Sequence, residues 1–109
     1  METNTKLTIV VSLCINHGCE AEFEQFESAA AQIMRKHGGA IERRISFAAE
    51  PAHRQSGDGQ PDEIHLVTFP DVASFERYRA DPDLKPLAAL RSRAISFTSV
   101  WLGTDLSSF

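Results

Sequence analysis

Strand and helix patterns follow one another along this sequence in the order β-α-β-β-α-β. Residues 6–14 are rich in β-branched side chains and are apolar on both faces, which is typical of a strand buried inside a sheet. Residues 20–37 repeat apolar side chains at helical spacing, with acids in the first turns and bases in the last. Gly38 and Gly39 follow directly and predict the end of this helix.

The second half of the chain repeats the pattern in shorter segments. Residues 40–47 and 63–69 both alternate with a period of two and are predicted strands. Asp71 is predicted to cap the helix that follows, and Asp81-Pro82 interrupts that helix because proline disfavours helical backbone in the residue before it. The helix then restarts in a new direction, and residues 96–102 are the last predicted strand.

A chain of 109 residues is long enough for one domain, which we place at 1–109 with a core of about 6–103. Residues 48–62 carry proline and glycine among polar side chains, which predicts a long flexible loop that could act as a lid. Residues 104–109 are predicted to form a short tail.

The order of the elements predicts an α+β, ferredoxin-like βαββαβ fold, with a four-stranded antiparallel sheet and two helices on one face. The opposite face of that sheet is then left uncovered. We expect it to carry Val10, Val67, Phe69, Val100 or Trp101, which would make a large apolar patch. Homodimerisation through this open sheet face is the simplest way to cover it.

Charge and hydropathy exclude several classes of partner. Eleven Lys and Arg against fifteen Asp and Glu give a net charge of −4, so nucleic acid is not an expected partner. The longest apolar stretch, residues 7–14, is far shorter than the roughly 20 residues that a membrane-spanning helix needs. No membrane association and no secretory signal are predicted, so we expect a cytoplasmic protein.

Cys14, His17 and Cys19 form a compact cluster whose sulfur and imidazole groups could bind zinc or copper. A closed structural zinc site needs four ligands, and no second Cys/His pair with standard spacing is present. We therefore expect free thiols and no metal site. Nor does the sequence contain the motifs of dinucleotide, P-loop, zincin or α/β-hydrolase chemistry.

His65, in the middle of a predicted strand, is the candidate general base, because an imidazole that opens into a cavity exchanges protons near neutral pH. The alternative is a histidine held by hydrogen bonds in the core or at a dimer face. Tyr78 and Arg91 are candidate ligand-binding residues that could hold a carboxylate or an enolate oxygen. Alternatively, Tyr78 belongs to the core, and Arg91 ties the helix end to carbonyl groups or to an acid.

Arg43 is the third candidate ligand-binding residue. Alternation with Ile41 and Ile45 predicts that it points inward, where its charge would need a partner or an anionic ligand. An edge or interface position with an acidic partner is the alternative. Arg44, on the other face, is predicted to be solvated.

The segment His65-Leu66-Val67-Thr68-Phe69-Pro70-Asp71, followed by Phe75, Tyr78, Asp81-Pro82 and residues 87–91 (LAALR), resembles domain of unknown function family 1330. Phe23, Phe26 and the closing Gly38-Gly39 of the first helix strengthen the resemblance, which spans roughly residues 6–103. It implies a dimeric α/β barrel, in a superfamily that also holds antibiotic-biosynthesis monooxygenases, small isomerases and stress-responsive barrel proteins.

Three functions are consistent with these residues and with what the resemblance implies. The first is a homodimer that binds a small apolar or aromatic organic molecule and transforms it without a cofactor, by monooxygenase-like or isomerase-like proton abstraction. The second is a non-catalytic ligand-binding or sensing dimer. A structural domain that pairs with a different protein is a third possibility.

Overall fold

The computed structural model describes residues 6–47 and 59–106. The predicted loop at 48–62 lies mostly outside these residues, as do residues 107–109 of the predicted tail. The elements are β1 (Leu7–Ile15), α1 (Glu20–Lys36), β2 (Ala40–Ser46), β3 (Glu63–Phe69), α2 (Val72–Arg79), a 3₁₀ helix (Pro82–Leu87), α3 (Ala88–Ala94) and β4 (Ile95–Gly103). The predicted ferredoxin-like order is confirmed.

The strands form one antiparallel sheet in the order β2-β3-β1-β4. Strand β1 is an inner strand, as its apolar character on both faces predicts. It pairs with β3 on one side and with β4 on the other, and β2 and β4 form the edges.

Helix α1 packs one apolar side against the sheet. Its buried apolar residues are Phe23, Phe26, Ala30, Ile33 and Met34. Acids in its first turn and bases in its last turn complement the helix dipole. The helix ends where Gly38 adopts a φ of 78°, a left-handed conformation that glycine accepts without steric cost.

The second helical region is broken at the predicted place. Asp71 caps α2 by accepting a hydrogen bond from the Ser74 backbone N–H at 2.7 Å. Asp81 then caps the 3₁₀ helix by accepting from the Asp83 backbone N–H at 2.8 Å. Pro82 is the first residue after this cap, so the chain changes direction between α2 and α3.

The predicted composition of the open sheet face is wrong in part. Val67 and Phe69 are 3% and 1% exposed and belong to the core under the helices, and Val100 also lies on the helix side. Val10 and Trp101 are paired neighbours on the open face, as predicted. Strands that are apolar on both faces carry no sign of which face meets the helices, and this caused the error.

The predicted inward orientation of Arg43 is also wrong. Strand β2 has a bulge between Ile41 and Arg43, so that Arg43 pairs with Leu66 and Arg44 pairs with His65. The extra residue reverses the alternation, because successive side chains point to opposite faces. Arg44, which was predicted to be solvated, is therefore the arginine that turns toward α1.

No helix within residues 6–47 and 59–106 has the length and apolar character needed to cross a membrane. Cys14 and Cys19 are free and half-buried. Across the described part of the chain, no three His, Cys, Asp or Glu side chains come together as a metal site.

Candidate functional site

A cavity of about 570 Å³ lies between the helix side of the sheet and the helices. Its floor includes Ile9 and Val11 of β1 and Val100 and Leu102 of β4, and α1 and α2 contribute Met34 and Phe75 to its walls. The polar residues in the lining are Glu27, His65, Tyr78, Arg79, Arg91 and Thr98. This volume and this largely apolar lining are typical of a small-molecule site.

His65 is 2% exposed and lies at the floor of the cavity on β3. Its Nε2 lies 2.8 Å from Glu63 Oε1, and its Nδ1 lies 3.6 Å from Glu27 Oε2. Burial lowers the pKa of His65, and the hydrogen bond and charge of Glu63 oppose this shift. A neutral imidazole donates through Nε2 to the Glu63 carboxylate and keeps an accepting lone pair on Nδ1, toward Glu27.

Arg44 connects Glu63 to the protein surface. Its Nε donates to Glu63 Oε1 at 3.1 Å, and its Nη1 donates to Glu24 Oε2 at 2.9 Å. These hydrogen bonds raise the pKa of Arg44 further above its usual range, so its charge is permanent. Its guanidinium also lies 5.7 Å from the centre of the Phe23 ring. A continuous set of ionisable groups thus runs from the cavity to solvent.

Glu27 projects from α1 into this site and is 8% exposed. Burial, together with smaller effects of the nearby Glu63 and Glu24 carboxylates, raises the pKa of Glu27 to about 7. Arg44 and Arg91 act in the opposite direction. Glu27 therefore exists in both its neutral and its charged form near neutral pH.

Sequence reasoning did not identify Glu27, although a signal was present. Glu27 is four residues after Phe23 and three before Ala30, so helical spacing places it on the apolar side of α1. An acid within an apolar stripe marks either a paired buried charge or a functional group.

Tyr78 and Arg91 both line the same cavity, on α2 and α3. Burial, together with a smaller effect of the Glu27 charge, raises the pKa of Tyr78 to about 12, and Arg91 opposes the shift. The phenol stays protonated and can donate a hydrogen bond, and the exposed Arg91 adds a guanidinium group. Three of the predicted site residues, His65, Tyr78 and Arg91, are thus brought together.

Arg43 is the predicted site residue that the fold separates from the others. It lines a shallower depression between α1 and β2, together with Arg44, and does not line the large cavity. The arginine that pairs with His65 between β2 and β3 is Arg44.

A protein-family model described as "Domain of unknown function (DUF1330)" matches residues 9–103 of this chain. A comparison of the sequence with curated proteins gave no match.

Among solved structures, a protein of unknown function from Rhodopseudomonas palustris has a TM-score of 0.79 at 12% identity, over 97% of this chain and 86% of that chain. SnoaB, a cofactor-independent oxygenase from Streptomyces nogalater, has a TM-score of 0.68 at 20% identity, over 95% of this chain and 96% of that chain. A dabb family protein with a ferredoxin-like fold from Mesorhizobium loti has a TM-score of 0.64 at 16% identity, over 94% and 98% of the two chains. These similarities establish the fold.

Proposed function

Because the chain belongs to the DUF1330 family of domains of unknown function, its role has to be inferred from its site, and we propose that it is a homodimeric small-molecule enzyme. In this proposal the cavity binds a small apolar or aromatic organic molecule. The protein transforms that molecule without a cofactor, by removing a proton from a carbon next to a carbonyl group. One observation carries the proposal: buried proton-exchanging groups at His65 and Glu27 open into an apolar cavity.

The polar groups of the cavity match the needs of such a reaction. Removal of a proton next to a carbonyl leaves negative charge on the carbonyl oxygen, and Tyr78 and Arg91 supply a hydrogen-bond donor and a positive charge for it. Return of the proton at another carbon gives an isomer. Transfer of electrons from the same anion to dioxygen would start an oxygenation, and the likeness to a cofactor-independent oxygenase supports this branch through the fold alone.

A second copy of this chain is the proposed partner at the open sheet face. Val10 pairs with Leu66 on one side and with Trp101 on the other, which makes an apolar row across three strands. Trp101 and Phe97 are 56% and 61% exposed in the single chain. Packing two such sheets face to face would remove these side chains from water.

Native mass spectrometry of gently purified protein tests both parts of the proposal, since one spectrum reports the subunit count and any retained molecule. We expect a dimer that carries an organic adduct. Trp101→Glu should convert it to a monomer, whereas Val72→Glu, at a side chain that is 52% exposed on α2, should leave the dimer intact. A monomer in the unmodified protein would contradict the proposed dimer.

A non-catalytic ligand-binding or sensing dimer is the second candidate, and one observation favours it. Both ring nitrogens of His65 face carboxyl groups, as expected of an imidazole that is simply satisfied in the core. His65→Ala separates the two functions. Loss of turnover of the retained molecule supports the enzyme, whereas a change in affinity with no turnover in either protein supports the binding function.

A further inference from the structure

Glu27 and His65 are neighbours in the lining of the cavity. The Glu27 side chain is 9% exposed, and its Oε2 is 3.6 Å from His65 Nδ1. We propose that Glu27 is the catalytic residue that takes the proton from the ligand and returns it, and that the ligand is an enolisable carbonyl compound with an apolar or aromatic body. This inference rests on the proposed function and assigns its central step to one residue.

The geometry favours Glu27 over His65 for this step. Nε2 of His65 is engaged by Glu63 at 2.8 Å, and Nδ1 is directed at Glu27. A ligand could reach either nitrogen only by displacing a carboxyl group from an imidazole that is 2% exposed. Glu27 lines the same cavity and is more accessible than His65, at 8% exposed, and among the described residues its carboxyl group has no closer partner than His65 Nδ1 at 3.6 Å.

Charged and titratable groups on five elements surround Glu27. Glu24 lies on its own helix, Arg44 on β2, and His65 and Glu63 on β3, while Arg91 on α3 and Tyr78 on α2 complete the set. Burial is the largest influence and raises the pKa of Glu27 to about 7. A group with this pKa is available at neutral pH both as an acceptor and as a donor of the proton.

The reaction step balances without any co-reactant. The Glu27 carboxylate takes a proton from the carbon next to the ligand carbonyl, and the electron pair of that C–H bond moves to the carbonyl oxygen. The oxygen anion is stabilised by the Arg91 guanidinium and the Tyr78 hydroxyl. The neutral Glu27 then returns the proton to carbon, which regenerates the carboxylate.

The first experiment measures the ionisation of Glu27 directly. In protein labelled with ¹³C at the glutamate carboxyl carbon, we expect one resonance to titrate near pH 7, about 2–3 units above the usual glutamate range. That resonance should be absent in Glu27→Gln and present in Glu20→Gln, an exposed position on the same helix. Its persistence in Glu27→Gln, or a Glu27 midpoint near 4, would overturn the inference whatever binds in the cavity.

The second experiment uses phenylpyruvate as the probe, because it combines an aromatic ring, an enolisable carbonyl group and a carboxylate. We expect the wild-type protein to accelerate exchange of its methylene hydrogens with deuterium in heavy water. Glu27→Gln should reduce this acceleration by about 100-fold, the lower end of typical general acid–base contributions, with probe affinity changed by less than about threefold. Equal acceleration by both proteins would overturn the inference.

The two experiments separate failure of this inference from failure of the proposed function. If Glu27 titrates near pH 7 but the protein neither binds the probe nor accelerates its exchange, the enzymatic function is contradicted, and Glu27 remains the titrating group of the cavity. If the probe is turned over and Glu27→Gln has no effect, the proposed function stands and the assignment to Glu27 is wrong.

Discussion

His37 Nε2 and Asp81 Oδ2 lie 2.8 Å apart and join the end of α1 to the break that follows α2. The same Asp81 carboxylate lies 2.9 Å from Lys36 Nζ, and only 6% of its side chain is exposed. Hydrogen bonds from His37, Lys36 and the Asp83 backbone hold the pKa of Asp81 well below its usual range. One carboxylate thus caps a helix and connects two distant parts of the chain.

Asp81→Asn should reduce the stability of the fold at neutral pH. It should also make that stability change less as the pH is lowered. A lowered pKa means that Asp81 stabilises the fold above its unfolded value of about 3.9, and that this stabilisation is lost as the pH falls further. We expect the melting temperature of the variant to fall by roughly 5–10 °C at pH 7, and by much less at pH 2, because the stabilisation disappears only as the pH falls toward the lowered pKa of folded Asp81. Thermal unfolding followed by circular dichroism at both pH values measures this.

Asp83→Asn is the matched control, because Asp83 contacts the same Lys36 but 66% of its side chain is exposed. A surface ion pair of this kind contributes little to stability. Equal losses in the two variants, or a loss in Asp81→Asn that does not depend on pH, would contradict the role given to Asp81.

Arg44→Met should destabilise the protein by about 1–2 kcal/mol, since it removes the cation from the mostly buried Glu63 and from Glu24. It should also raise the pKa of Glu27 above 7, because Arg44 lowers it in the wild type. Urea unfolding and the carboxyl titration measure the two effects. Arg43→Met is the control, and if it matched Arg44→Met in both measurements, the bulge in β2 would not decide which arginine faces α1.

Gly39→Ala should cost about 2 kcal/mol, in the range of overpacked cores. A Cβ atom at Gly39 would overlap the ring of Phe69, which is 1% exposed and enclosed by the core. The ring cannot move aside without displacing its neighbours Phe75 and Tyr78, whose ring centres lie 5.4 and 5.5 Å away. Gly103→Ala, where the nearest atom is 3.9 Å from the added carbon, should be neutral in the same urea experiment.

Arg91→Met should weaken the binding of an apolar anion in the cavity by about tenfold, the effect of losing one charge-assisted contact. Anilinonaphthalene sulfonate is a suitable probe because its fluorescence rises in apolar surroundings. Arg93→Met removes the same charge from the same short helix, at a residue outside the cavity lining. Similar losses in the two variants would mean that the probe responds to overall charge and not to the cavity.

Much of the fold could be predicted because local patterns decide it. The Asp71 cap, the break at Asp81-Pro82 and the glycine end of α1 each depend on residues close in sequence, and each was confirmed. The bulge in β2 was not predictable, because the alternation continues through Arg43 and Arg44 without a visible interruption. Only pairing with β3 fixes where the extra residue lies.

The candidate site was also predictable only where it depends on residue type and not on contacts that are distant in sequence. The residue types of His65, Tyr78 and Arg91 suggested chemistry, and the fold brings all three to one cavity. Glu27 acquires its properties from groups that are distant in sequence, above all the burial created by the sheet and the charges on β2 and β3. A sequence shows that an acid lies on an apolar stripe, but its ionisation depends on what the stripe packs against.

The floor of the cavity along β4 contains Val100 and Leu102, which are 47% and 48% exposed. In the single chain the cavity is therefore open to solvent beside this edge strand. Ligand association should then need no slower step in which the protein opens. The contacts that a ligand makes with the cavity would then set its residence time. Chemical variants of one ligand should therefore differ mainly in their dissociation rate constants and little in their association rate constants.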